Sequence, residues 1–159
     1  MTTTPITIRN YKQVTEIFRE ISLSQEAVKQ FQLGELSDLD VENAEHTFVR
    51  FPLVYMVPQP SVMDRFGKMT LGFSFIVCDI VEDNDEYLTI NTHNNCLMIM
   101  QDIFSKFILT DWATVPLKIE TPINIIPFQE KYNNNLSGWA AEINVEVQNP
   151  FDLCNAAFD

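Results

Sequence analysis

Apolar positions divide the chain into segments of distinct period. Tyr11, Val14, Phe18 and Ile21 recur at helical spacing and predict an amphipathic first helix. Ser22 or Ser24 caps a predicted second short helix that carries Val28 and Phe31 and stops at Gly34. Phe51 to Val57 reads as a strand closed by Pro58 and Pro60. Met69 to Val81 is a longer strand: Leu71, Phe73, Phe75 and Val77 share one face, and Ile76, Cys78 and Ile80 make the other apolar too. A strand apolar on both sides lies between two layers or against a neighbouring subunit. A helix is predicted over about residues 93–109, with Asn91 or Thr92 as N-cap. Cys96, Met100, Ile103 and Phe107 form its stripe, widened by Leu97, Phe104 and Ile108.

Residues 117–126, bracketed by Pro116, Pro122 and Pro127, predict one edge or kinked strand. Trp139, Ala141, Ile143, Val145 and Val147 then alternate with polar or small partners, the pattern of a strand with one dry and one wet face. Asn133, Asn134, Asn135 and Gly138 supply the turn before it. Together these elements predict an α+β fold: a mainly antiparallel sheet of four to five strands with helices packed on one face. Two hairpin-like strand pairs joined across a helix would build it. One domain is expected over residues 11–149, between an N-terminal arm (1–10) and a C-terminal tail (150–159).

Composition narrows the functional classes. The 159 residues carry ten Lys plus Arg against 22 Asp plus Glu, a formal net charge of −12. Affinity for phosphate backbones is largely a Lys/Arg effect, so this balance argues against a nucleic-acid binder and against docking on an anionic membrane. Apolar runs such as Cys96–Met100 are too short to span a bilayer. Met1 to Asn10 has no apolar centre, and no secretory leader is expected there. Cys78, Cys96 and Cys154 stand in apolar company without a Cys-x-x-Cys spacing, and are read as reduced, buried thiols made in a cytosol.

Little in the chain has the spacing of a catalyst. Glu82, Asp83, Asp85 and Glu86 form an acidic turn, but no Gly marks a bend and no distal Glu completes a calcium loop. His46 falls in an acidic loop. His93 falls in the predicted first turn of the long helix, as a polar helix residue rather than a base. No nucleophile elbow, zincin helix or Gly-rich phosphate loop is present in the sequence. A structural part with no enzymatic activity and no cofactor is the reading of this pattern. The alternative is a small acidic metal- or ligand-binding domain or enzyme using Asp79, Glu82 and Asp85.

Five phrases in order carry a resemblance: KQFQLGELSDL (29–39), FPLVYMVPQPS (51–61), FSFIVCDIVEDNDE (73–86), NTHNNCLMIMQDI (91–103) and PFQEKYNNNLSGWAAEINVEVQNPFDLC (127–154). Across roughly residues 11–154 the chain resembles tail-completion or tail-terminator proteins of tailed bacteriophages, notably crAss-like phages of Bacteroidetes. The most specific block is the last, with its aromatic-rich turn, Trp-led strand and late Cys.

The resemblance implies a tail-terminator-like α+β subunit of a virion, made in the host cytoplasm and assembled in the head-to-tail neck or at the head-proximal end of the tail. Six or twelve copies would form a ring, seated on portal, neck or tail proteins, with DNA passing through the channel without tight binding. It carries over no catalytic residue and no membrane contact. In a cyclic ring each contact joins two different faces. Candidate contact residues are Phe73, Phe75, Ile76 and Ile80 of the two-faced strand and Ile119 and Ile123 of the proline-edged one. Candidate channel-facing acids are Glu35, Asp38, Asp40, Glu42 and Glu45 in one loop and Glu82, Asp83, Asp85 and Glu86 in another, where like charge would keep DNA from sticking.

Overall fold

A computed structural model describes residues 11–34, 50–81, 86–110, 117–130 and 136–147. The expected N-terminal arm and C-terminal tail lie outside these residues. Helix α1, Tyr11–Ser24, forms where the apolar spacing predicts it: Val14, Phe18 and Ile21 repeat every turn or two and are buried. The exposed Lys12–Glu16 pair at 3.9 Å adds little. Ser24 Oγ–H donates to the carbonyl of Ile21 (2.7 Å) at the last turn.

The predicted second helix is instead a turn and a strand. Gln25 N–H donates to Ser22 O and Val28 N–H to Gln25 O, reversing the chain into β1, Gln30–Leu33. This strand runs parallel to β2, Leu53–Met63, with Phe31 opposite Val54. Lys29 N–H donates to Pro52 O and Gly34 N–H to Met56 O, extending the pairing at both ends. A ladder with a buried neighbour outweighs two turns of an isolated helix, whose nucleation is costly. Gly34 therefore follows a strand, not a helix.

Nor do the prolines close β2. The strand continues through Pro58 and Pro60 to Met63, paired antiparallel with β3, Met69–Ile80. Strand β1 covers only Leu53–Met56, so beyond that point β2 needs no outward N–H and tolerates proline. A register shift between Gln59 and Val62 takes up the irregularity.

Helix α2 spans Glu86–Leu109 and starts seven residues before the predicted 93, so neither Asn91 nor Thr92 caps it. The predicted strand over 117–126 is two strands, β4 (Lys118–Ile119) and β5 (Asn124–Glu130), interrupted around Pro122, which has no N–H for a ladder. Strand β6, Leu136–Val147, pairs along one side with all twelve residues of β3, and along the other with β4 and then β5.

The described strands form one mixed six-stranded sheet ordered β1-β2-β3-β6-β4, with β5 also on β6. The fold is α+β, with one parallel pair in an otherwise antiparallel sheet and one strand more than the upper estimate from sequence. Both helices contribute to one core with Val54, Met56, Leu71, Phe73, Phe75, Val77 and the odd-numbered residues 141–147. At its centre Phe18 stacks on Phe107 with centroids 4.4 Å apart, and Phe75 lies 5.7 Å from Phe18 and 5.2 Å from Phe104. The opposite sheet face holds a smaller cluster of Leu53, Tyr55, Ile76 and Cys78, with Phe128 and Ala140 against it.

Candidate functional site

The long helix carries more apolar surface than the sheet covers. Cys96, Ile99, Met100, Ile103, Phe104 and Phe107 face inward. Leu97, Gln101, Ser105, Ile108 and Leu109, beside that stripe, stand over Ile123 and Ile125 and leave an open groove of about 480 Å³. Ile108 is 52% exposed and Leu109 83%. Because period-two alternation in β5 pairs Ile125 with Ala141 on the helix side, Ile125 becomes one wall and α2 the other. No charged side chain lines the groove.

Two hydrogen bonds fix the spacing of those walls. His93 Nε2 lies 3.1 Å from the carbonyl of Phe128, an acceptor, so Nε2 carries the proton and donates to β5. Trp139 Nε1–H on β6 donates to the carbonyl of His93 at 2.9 Å. His93 thus sits in the third turn of α2, not the first, and clamps helix to sheet.

A second apolar feature projects from the end of the sheet beyond the Met63–Met69 pair. The turn 64–68 joins β2 to β3, and Val62, Met63 and Phe66 around it are 67%, 56% and 68% exposed. Its shape is set locally. Asp64 Oδ1 accepts from the N–H of Phe66 (2.8 Å) and of Lys68 (3.0 Å), and Gly67 takes φ 90°, where a side chain would be strained. The Arg65 guanidinium lies 5.1 Å from the Phe66 ring centroid. Lys68 Nζ pairs with Glu146 Oε1 at 3.1 Å, tying the turn to β6.

The two loops of candidate channel-facing acids fall mostly outside the described residues: Glu35, Asp38, Asp40, Glu42, Glu45, Glu82, Asp83 and Asp85 lie there, and so do His46 and Cys154. Glu86 is the exposed first residue of α2. Of the predicted contact residues, Phe73, Phe75, Ile76 and Ile119 are corrected. All four are buried in this chain's own clusters: Phe73, Phe75 and Ile119 in the core beneath the helices, and Ile76 in the smaller cluster on the opposite sheet face. Ile80 is 40% exposed, and Ile123 is half-buried in the groove wall.

Asp79, the described member of the alternative acid set, is half-buried. Burial raises its carboxyl above the usual range, opposed by the hydrogen bond from Ile80 N–H. Among the described residues no three His, Cys, Asp or Glu side chains come together in a way that would hold a metal ion. The Cys78 and Cys96 thiols are free and buried, and burial pushes both up to about 12, with nearby Asp79 adding to each. Such thiols are poor nucleophiles. Among the described residues no helix is long and apolar enough to cross a membrane.

The sequence reading expected a hairpin-like pair here but missed its exposed tip, and it missed half of the groove. The signal for the first was present in VMDRFGKM, an Asp/Gly turn flanked by apolar residues. For the second it was the width of the α2 stripe, which exceeds one sheet contact. No protein-family model and no curated protein matches the chain.

Proposed function

We propose that the chain is a structural subunit of a tailed-phage virion that assembles with copies of itself into a ring of the neck or the head-proximal tail. The observation that carries this reading is the groove between α2 and β5, apolar, uncharged and open at the border of the sheet. A contiguous apolar surface of this kind marks an interaction site more often than a solvated one. The resemblance of the five phrases to tail-completion proteins points to this class of assembly, and a net charge of −12 would keep DNA from sticking to a channel wall.

Purified protein, alone and mixed with the virion proteins encoded beside it, tests the reading by sedimentation velocity across a concentration series. A discrete cyclic oligomer is expected in at least one of these samples. Monomer in all of them defeats the proposal.

A further inference from the structure

We propose that Asp79 and Ser137 form a proton-operated latch between β3 and β6: the protonated carboxyl donates its O–H to Ser137 Oγ, and ionisation releases it. The latch belongs to the single chain and does not depend on ring assembly. Ser137 is fully buried, yet its Oγ has no hydrogen-bond partner. Folded interiors rarely leave a hydroxyl in that state, so a partner that arrives under another condition is the physical expectation.

Asp79 is the register partner of Ser137 across the antiparallel ladder. Alternation puts Asp79 on the helix side with Phe75 and Val77, and Ser137 on that same side with Trp139 and Ala141. Directly opposed side chains in such a pair have Cβ atoms about 4.5–5.5 Å apart, within reach of a side-chain hydrogen bond. Asp79 Oδ1 accepts from Ile80 N–H at 2.8 Å, which leaves Oδ2 for the partner strand. The Cys96 thiol of α2 donates to the Ser137 carbonyl at 3.8 Å and not to the hydroxyl. Asp79 is therefore the side chain placed to complete Ser137.

Proton occupancy decides whether it does so. Asp79 is half-buried, and among the described residues no Lys or Arg pairs with its carboxylate. An ionised carboxylate there turns its charge towards water and leaves Ser137 unpaired, the arrangement that the structure shows. Once protonated, the carboxyl no longer needs that water and carries a donor that Ser137 Oγ can accept. The titratable groups facing Asp79 are Cys78 beside it on β3 and Cys96 on α2, while Val77 and Trp139, next on the same face, are uncharged. Both thiols are held near 12 by burial, so they stay neutral through the acid range and Asp79 alone switches. Burial also raises the Asp79 carboxyl above its ordinary 3.8, so the latch closes where exposed carboxylates are still ionised. Closure ties the end of the β3–β6 ladder beneath α2.

Carboxyl-carbon NMR of the full chain tests the latch by following the Asp79 titration in the parent and in Ser137→Ala. The midpoint is expected above 3.8 in the parent and lower by roughly half a pH unit or more in the variant, which lacks the acceptor that holds the neutral form. Burial acting alone would leave the midpoint unchanged or raise it, because alanine is the more apolar neighbour, and that result overturns the latch. A second variant, Asp79→Asn, keeps a neutral donor at every pH. A carboxyl raised in the folded state contributes stability that is complete below 3.8 and lost as pH rises through its folded value. The melting temperature of Asp79→Asn relative to the parent is therefore expected to rise between pH 4 and pH 7. A difference that stays constant with pH overturns the latch as well.

Discussion

Gly138→Ala is the most severe single-methyl change that the fold predicts. Gly138 lies where three strands cross in register, opposite Cys78 of β3 and Phe128 of β5. An added Cβ would stand 2.0 Å from the carbonyl oxygen of Val77 and 2.8 Å from Cys78 Cα. Both are backbone atoms, so no rotamer change relieves the overlap, and β3 and β6 must part by more than about 1 Å to restore van der Waals distance. Overpacking of a well-filled interior costs about 1–3 kcal/mol, and each ladder hydrogen bond lost near the site adds about 1 kcal/mol. With one such bond lost the sum is about 2–4 kcal/mol, which for a chain of this length lowers Tm by roughly 10 °C.

Thermal and urea unfolding followed by circular dichroism read this loss, with Gly67→Ala as reference. That reference places a side chain at φ 90° and is expected to cost only about 1 kcal/mol. Because Phe128 shares the Gly138 position, the variant also disturbs the smaller cluster of Leu53, Tyr55, Ile76 and Cys78 on that sheet face. A Gly138→Ala protein that melts within 2 °C of the parent, or above Gly67→Ala, refutes the packing argument.

Other outcomes follow from the same core. Phe18→Ala removes the ring stacked on Phe107 and beside Phe75, and should cost about 3–5 kcal/mol in urea unfolding. A loss below 1 kcal/mol would show that the aromatic cluster does not hold α1 to α2. Cys78 and Cys96 ionise near their ordinary value of 9.0 when unfolded but only near 12 when folded. Their contribution is complete below pH 9 and declines as pH rises towards 12, at about 1.4 kcal/mol per pH unit for each thiol, because the unfolded chain releases its protons first. Melting curves at pH 8 and pH 10.5 should differ by more in the parent than in a Cys78→Ala/Cys96→Ala variant; an equal difference contradicts the assignment.

The elements legible in the sequence are those whose period comes from a single burial environment. Helix α1, strand β3 and strand β6 each show one unbroken pattern, and each forms within a few residues of its expected bounds. Strand β1 was not legible: Gln30–Leu33 is too short to show a period, and its conformation depends on β2, twenty residues away. The prolines of β2 misled because a proline signals an edge, and an edge strand need not end there. The early start of α2 was hidden because its first two turns carry few buried side chains. At the site, apolar residues alone do not tell core from interface. Phe73 and Phe75 were expected at a contact and are core, whereas Phe66 and Ile108 carry the exposed surface. Periodicity states which residues share a face, and only the sheet order states which faces remain uncovered.

The central claim is that this chain works as a ring subunit, and electron microscopy of the purified protein at high concentration, and of its complex with the adjoining virion proteins, tests it most directly. The account predicts particles of a single cyclic symmetry with a central channel. Monomeric particles in both samples, or a closed dimer in which the same surface of each copy meets itself, would contradict it.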